Sequence, residues 1–353
     1  MTNPLIITRD QTLLDELARL AAAAGVAPDV VTEPAQALRS WSSAPVVLVG
    51  ADLAGELAAI EPGRRQGLHL VGWGRLPDDI FRVAMSLGID NVAELPRSDS
   101  WVLEVLAESD ERIADDAITI GVVGGSGGAG ATTFACALAQ VASWRWPSCL
   151  MDVDPMGPGA DAVLGLERID GIRWDALQQS TGRLGARAFR DSLPALGDLR
   201  VLAWGPGTTG GAQPFAVRSA LAAAVRGHRL VVLDLPRTPD ALTEELMARC
   251  QTLVVLTRAT VPGLASSARF VARALQSGPL WQVVRGSGVE ASEAARAVGA
   301  PVLTAMPDQR GLDESIDLGK GPLKSKRCVL ARAALDVLAS CGPEAVRSDS
   351  AAA

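Results

Sequence analysis

The chain has 353 residues, 48% of them hydrophobic, enough for about two domains with well-buried cores, and this excludes a disordered protein. Its net charge of -7, from 33 basic and 40 acidic side chains, gives no general attraction for nucleic acid or an anionic membrane, so any such contact must rest on a local patch. Cys136, Cys149, Cys250, Cys328 and Cys341 lack the paired spacing of a zinc site or disulfide framework, and "MTNPLIITRDQTLLDEL" lacks the basic start and long apolar core of a secretory signal, so free thiols and a cytoplasmic location are expected.

From residue 1 to about 108, short apolar runs alternate with amphipathic stretches. "PLIIT", "PDVV", "PVVLVG", "LHLVGW" and "DNVAEL" read as strands, and "LLDELARLAAAAG", "PAQALRSW", "DIFRVAMSLG" and "SWVLEVLAES" as helices, the rhythm of βα units around a parallel sheet. The charged stretch "ESDERIADDA" then breaks the rhythm, which places a linker over residues 109–117. A second domain is expected over 118–341, with a disordered tail over 342–353.

In the second half, "ITIGVV", "CLMDVD", "LRVLAW", "RLVVLDL", "TLVVLT", "LWQVV" and "APVLTAM" read as strands, several of them apolar throughout, as in a sheet covered by helices on both faces. Residues 117–144 carry no charge over a membrane-spanning length, but the glycines in their middle fit a strand, a loop and a helix better than one span. Trp144, Trp146 and Trp204 are expected to pack in the core or at an interface, and "WGPGTTGGAQP" is open between a surface turn and a loop over a ligand face.

Between "ITIGVV" and "FACALAQVA" lies "GGSGGAGATT", residues 124–133. A glycine-rich turn from strand to helix can surround a phosphate with backbone N–H groups, and the helix terminus adds partial positive charge. Glycines alone would equally make a plain turn. Asp152 and Asp154 in "CLMDVDP" and Asp234 in "RLVVLDLPR" are carboxylates at the ends of predicted strands, where their plain use is to cap the following helices.

These segments resemble the ParA/MinD family of deviant Walker ATPases, whose loop runs Lys-Gly-Gly-x-Gly-Lys-Thr-Thr. Here it is "SGGAGATT": Ser126 replaces the signature lysine and Ala131 the lysine that reaches the terminal phosphates, while Thr132 and Thr133 are kept. The resemblance implies ATP and magnesium, held by Gly125, Ser126, Gly127, Gly128, Gly130, Ala131, Thr132 and Thr133. It implies Thr132, Asp152 and Asp234 as the magnesium side, Asp154 as the residue orienting an attacking water, and Pro307 with Asp308 of "MPDQRGLDESIDLGKGP" beside the adenine. Fold class follows: α/β, a P-loop-type doubly wound, mostly parallel sheet.

The first half resembles a response-regulator receiver by pattern more than by motif. Gly50 stands where a phosphate-accepting aspartate is expected, Asp52 is two residues late, one acid (Asp10) follows the first strand and Leu95-Pro96 replaces Lys-Pro. A pseudo-receiver used for docking or dimerisation is expected. Such a domain before a ParA/MinD-type domain with eroded lysines is similar to the CpaE/TadZ group and its actinobacterial septum-site-determining relatives.

That resemblance implies a homodimeric spatial regulator recruited to a septum or pole, with cell-division or pilus and secretion proteins as partners. A charged hydrogen bond to phosphate contributes about 1.5–3 kcal/mol, so losing two weakens nucleotide binding by roughly two to four powers of ten. Hydrolysis suffers more, because the transition state needs fixed positive charge; Arg237 and Arg258 are the candidate substitutes. ATPase activity is therefore expected to be weak or absent, with a slow nucleotide switch as the alternative. Nucleic-acid binding is not indicated, although "GKGPLKSKR" is locally basic, and "LKSKRCVLARAALDVLASC" reads as a packed final helix in preference to a membrane-surface one.

Overall fold

A computed structural model describes residues 3–109, 117–178, 184–205, 210–238, 240–274 and 278–344. The chain divides into two compact units, Met1–Arg112 and Ile113–Ala353. Most of the expected linker, residues 110–116, lies outside the described residues, as do 345–353 of the expected tail and 206–209 of the glycine-rich "WGPGTTGG".

Unit 1 is a parallel sheet of β1 (Leu5–Ile7), β2 (Asp29–Val31), β3 (Val47–Gly50), β4 (Leu68–Trp73) and β5 (Asn91–Leu95) in the order β2-β1-β3-β4-β5. One face buries Val47, Val49, Leu68 and Leu70; the other buries Ile6, Leu48 and Val71 under Leu17 and Leu106 of two helices. Helix Gln11–Ala24 starts where it does because the Asp10 carboxylate accepts the N–H groups of Thr12 and Leu13, and stops at Gly25 with φ +75°. Asp52 folds back toward β1: its oxygens accept the Thr8 hydroxyl (2.9 Å) and the Arg9 N–H (2.7 Å). A Cβ on Gly50 would collide with this carboxylate and with Thr8.

Unit 2 is an eight-stranded sheet of β6 (Ile118–Gly124), β7 (Ser148–Asp152), β8 (Ala195–Leu196), β9 (Leu199–Leu202), β10 (Leu230–Leu235), β11 (Thr252–Arg258), β12 (Leu280–Arg285) and β13 (Val302–Met306). Its order is β13-β12-β11-β6-β10-β7-β9-β8, parallel except for β8, which turns back antiparallel to β9 through Gly197 at φ +61°. The two-residue β8 is too short to be read as an apolar run.

The central strands are mostly apolar and almost wholly buried because helices cover both faces: Val122 and Val232 pack under Phe134 and Leu138 on one side, Val123 and Leu233 against Val217 and Leu221 on the other. Trp174 is fully buried, with its ring tilted against Trp204 at 5.8 Å, whereas Trp144 is exposed beneath the Lys326 ammonium. Cys136, Cys149, Cys250 and Cys341 are buried free thiols and Cys328 is half-buried. Helix Val329–Cys341 puts Leu330, Ala334, Val337 and Leu338 into the same core as helix Ala131–Ala142, so its apolar face is covered by protein. Among the described residues no helix is long and apolar enough to cross a membrane.

Candidate functional site

β6 lies between β11 and β10, and its carboxyl end opens into the glycine loop and then helix Ala131–Ala142. This crossover point of a doubly wound sheet is where such folds leave a crevice. Gly125 is held by its N–H to the Leu256 carbonyl (2.9 Å), so close to Ser267 that a Cβ would strike the hydroxyl. Gly128 and Gly130 turn the chain with φ of +68° and +92°, conformations costly for any residue with a side chain. Among the described residues the N–H groups of Gly127, Gly128, Gly130, Ala131, Thr132 and Thr133 find no acceptor. They are an unused set of donors at the positive end of a twelve-residue helix.

The loop borders a cleft of about 390 Å³, whose other walls include Asp154, Met156, Asp234 and Arg237. Sheet register fixes the carboxylates. Asp234 on β10 sits beside Val122 of β6 and Asp152 of β7, so two buried acids are neighbours at the strand ends. Burial raises the Asp234 carboxyl well above its ordinary range, Asp152 adds to this, and the Thr132 hydroxyl bonded to it opposes the rise. Its Oδ2 has no partner.

Asp152 is pushed up to about 7 by burial, against the pull of two backbone donors, Ala160 N–H (2.8 Å) and Asp154 N–H (3.1 Å). Its carboxylate thus organises the following loop and is not among the groups that line the cleft. The same loop is clamped from behind. Trp174 Nε1 donates to the Asp152 carbonyl (2.7 Å), and Arg173 pairs with buried Asp161 (3.1 Å) while donating to the Leu166 carbonyl (3.1 Å). Asp154 faces the cleft, and its Oδ1 accepts the Met156 N–H (3.0 Å).

Both lysine-replaced positions, Ser126 and Ala131, line the cleft, and the Ser126 hydroxyl is buried without a partner. Arg237 borders the cleft, 3.3 Å from the Ser266 hydroxyl, but Arg258 does not. Pro307 and Asp308 are not brought to the cleft either. Pro307 lines a separate small recess, and Asp308 pairs with Arg285 (2.6 Å), whose guanidinium also donates to the loop carbonyl of Ala129 (3.3 Å). Sequence reasoning missed Arg285; the signal available was its place at the end of β12, in register with Arg258 of β11.

A hard cation suits the orphaned Asp234 oxygen and the Thr132 hydroxyl, and an anionic phosphate suits the free N–H groups. Among the described residues no group of three or more His, Cys, Asp or Glu side chains forms a cage, so a cation here needs ligand and water oxygens as well. This requirement is typical of magnesium, which keeps several waters beside one or two protein ligands.

Residues 7–116 match the family model described as "Rv3660c-like, CheY-like N-terminal domain". Over 342 residues the chain is 34% identical to the protein Rv3660c of Mycobacterium tuberculosis, covering 93% of this chain and 95% of that one. Among solved structures, the ParA family ATPase from Chlorobium tepidum aligns with a TM-score of 0.54 at 15% identity over 64% of this chain and 98% of that one. The MinC:MinD cell division protein complex of Aquifex aeolicus gives 0.52 at 14% over 66% and 96%. The septum site-determining protein MinD of Pyrococcus horikoshii, complexed with Mg-ADP, gives 0.50 at 14% over 63% and 94%. At these identities the structural likeness is one of fold. The chain belongs to the Rv3660c-like family, with a CheY-like N-terminal domain followed by a parallel sheet of the ParA/MinD P-loop type.

Proposed function

We propose that this chain is a spatial regulator of septum-site selection, in the CpaE-like branch of the MinD/ParA group. It acts by dimerising and binding cell-division proteins, and it holds a nucleotide weakly with little or no hydrolysis. The observation that carries this reading is the asymmetry of the cleft: unused N–H donors, Thr132, Asp154 and the half-satisfied Asp234 are all present, while positions 126 and 131 hold no lysine. In support, the fold is shared with a MinD complexed with Mg-ADP and with a MinD in complex with MinC.

ATP with magnesium would supply a transferable phosphoryl group and the charge to polarise it. On the protein side, the free N–H groups of Gly127, Gly128, Gly130, Ala131, Thr132 and Thr133 would hold phosphate oxygens. The Thr132 hydroxyl and Asp234 would serve the cation, directly or through water, with Asp152 behind them holding the loop. The Asp154 carboxylate would orient an attacking water. The missing lysines remove the positive charge needed most at the transition state, so binding outlasts turnover.

One observation favours a second reading, a slow ATP-driven switch: Arg237 borders the cleft and offers a guanidinium there. Calorimetric titration of the full chain with ATP and magnesium, followed by a phosphate-release assay, separates the two. Binding without turnover supports the scaffold; turnover abolished by Asp154→Ala and Arg237→Ala supports the switch. Absence of binding, in the native chain and in Ala131→Lys alike, would refute both.

A further inference from the structure

Gly130 and Thr133 border two spaces. One is the cleft of about 390 Å³ at the phosphate loop; the other is a recess walled by Met306, Pro307, Leu312 and Leu330. An apolar wall directly beside a phosphate loop is what a flat aromatic base needs once its phosphates are held. Yet the recess has a volume of only about 10 Å³, room for a single water.

Arg285 takes up the space. It projects from the end of β12, its Nη1 donates to the Ala129 carbonyl (3.3 Å) and its Nε to Asp308 (2.6 Å). It lies so tightly against the loop that a Cβ on Gly130 would come within 2.7 Å of Nη1. The rim opposite is tied down: Gln309 donates to the Pro322 carbonyl (2.8 Å) and accepts the Leu330 N–H (3.3 Å). The ion pair is the movable part, because the Asp308 side chain is 61% exposed and that of Arg285 26%.

We propose that the Arg285–Asp308 pair closes the nucleoside side of the loop, so that the site selects a polyphosphate chain with magnesium and gives the attached base no place to bind. The inference rests on the reading of the cleft as a phosphate site. Arg285 is then the specificity-determining residue. It makes the site indifferent between adenine, guanine and no base at all, and it supplies a cation behind a loop that has lost both lysines.

The test is calorimetric titration of the full chain with inorganic triphosphate, ATP and GTP, each with magnesium. It is run on the native protein, Arg285→Ala and Asp308→Asn, each also in an Ala131→Lys background that brings weak binding into range. Expected is binding of all three ligands within about threefold of one another in the native chain, and at least about tenfold tighter ATP in Arg285→Ala with triphosphate not tightened. Asp308→Asn, which frees the guanidinium without deleting it, shifts ATP in the same direction and keeps the test valid if Arg285→Ala does not fold.

Two results overturn the inference alone: native binding of ATP about tenfold tighter than triphosphate with no change in that ratio in either variant, or equal tightening of all three ligands. If nothing binds even in the Ala131→Lys background, the phosphate reading itself is wrong and the inference goes with it.

Discussion

Two buried groups in the second unit have opposite pH dependences, so removing one reveals the other. His228 is fully buried after helix Pro214–Gly227, with Nδ1 2.9 Å from the Ala224 carbonyl, and burial pushes it down from 6.5 to about 4. The unfolded chain takes up this proton first, so its contribution is intact above pH 6.5 and is lost as pH falls toward 4. A shift of about 2.5 units corresponds to about 3 kcal/mol. Asp152 has the opposite sign: with its folded value raised from 3.8 to about 7, its stability is present below pH 3.8 and is lost as pH rises through 7. That shift of roughly 3 units corresponds to about 4 kcal/mol.

In the native chain the two oppose each other between pH 4 and 7, and Asp234, raised in the same direction as Asp152, adds to the fall in stability with rising pH. His228→Leu keeps the volume and removes one side of the balance. From pH 4 to pH 7 the stability of this variant should then fall by about 3 kcal/mol more than that of the native chain. Urea unfolding in magnesium-free buffers, followed by tryptophan fluorescence, reads it directly, since Trp174 donates to the Asp152 carbonyl itself. Parallel pH profiles for the native chain and the variant would show that these groups do not set the balance.

Ala131→Lys restores one charged phosphate contact, so ATP affinity should rise by about 10- to 150-fold, the equivalent of 1.5–3 kcal/mol. A lysine at the positive end of a helix also costs about 0.3–1 kcal/mol, seen as a lower melting temperature without nucleotide and a higher one with it. Arg173→Ala leaves Asp161 buried without its partner and should destabilise the second unit by about 3–5 kcal/mol in denaturant unfolding, with Arg173→Lys recovering only part of the loss.

The strands were legible because covered sheets need apolar runs and this sequence punctuates them with glycine and proline; "RLVVLDL" and "TLVVLT" are nearly the strands β10 and β11. The loop was legible for the same local reason, as ten consecutive residues carry its shape. Asp152 was less legible, because at a strand end the same residue serves a cation or the loop that follows, and only the N–H groups of Asp154 and Ala160 show which bonds its oxygens make. Arg285 was hidden by distance: its contact with Ala129 spans 156 residues, and nothing local distinguishes it from Arg258, its register neighbour. Looking for a cation to replace the lost lysines pointed to strand ends in general and did not say which end reaches the loop.

In the CheY-like unit, both acids near the end of β1 already have structural duties. Asp10 caps the first helix, and Asp52 has each oxygen engaged, by the Thr8 hydroxyl and the Arg9 N–H. A phosphoryl group or a divalent ion at this corner would have to share these oxygens with the helix cap and with the tie that holds Asp52 to β1. Loading the corner would therefore loosen the turn that forms it, so occupancy there and the local fold of the unit would trade against each other.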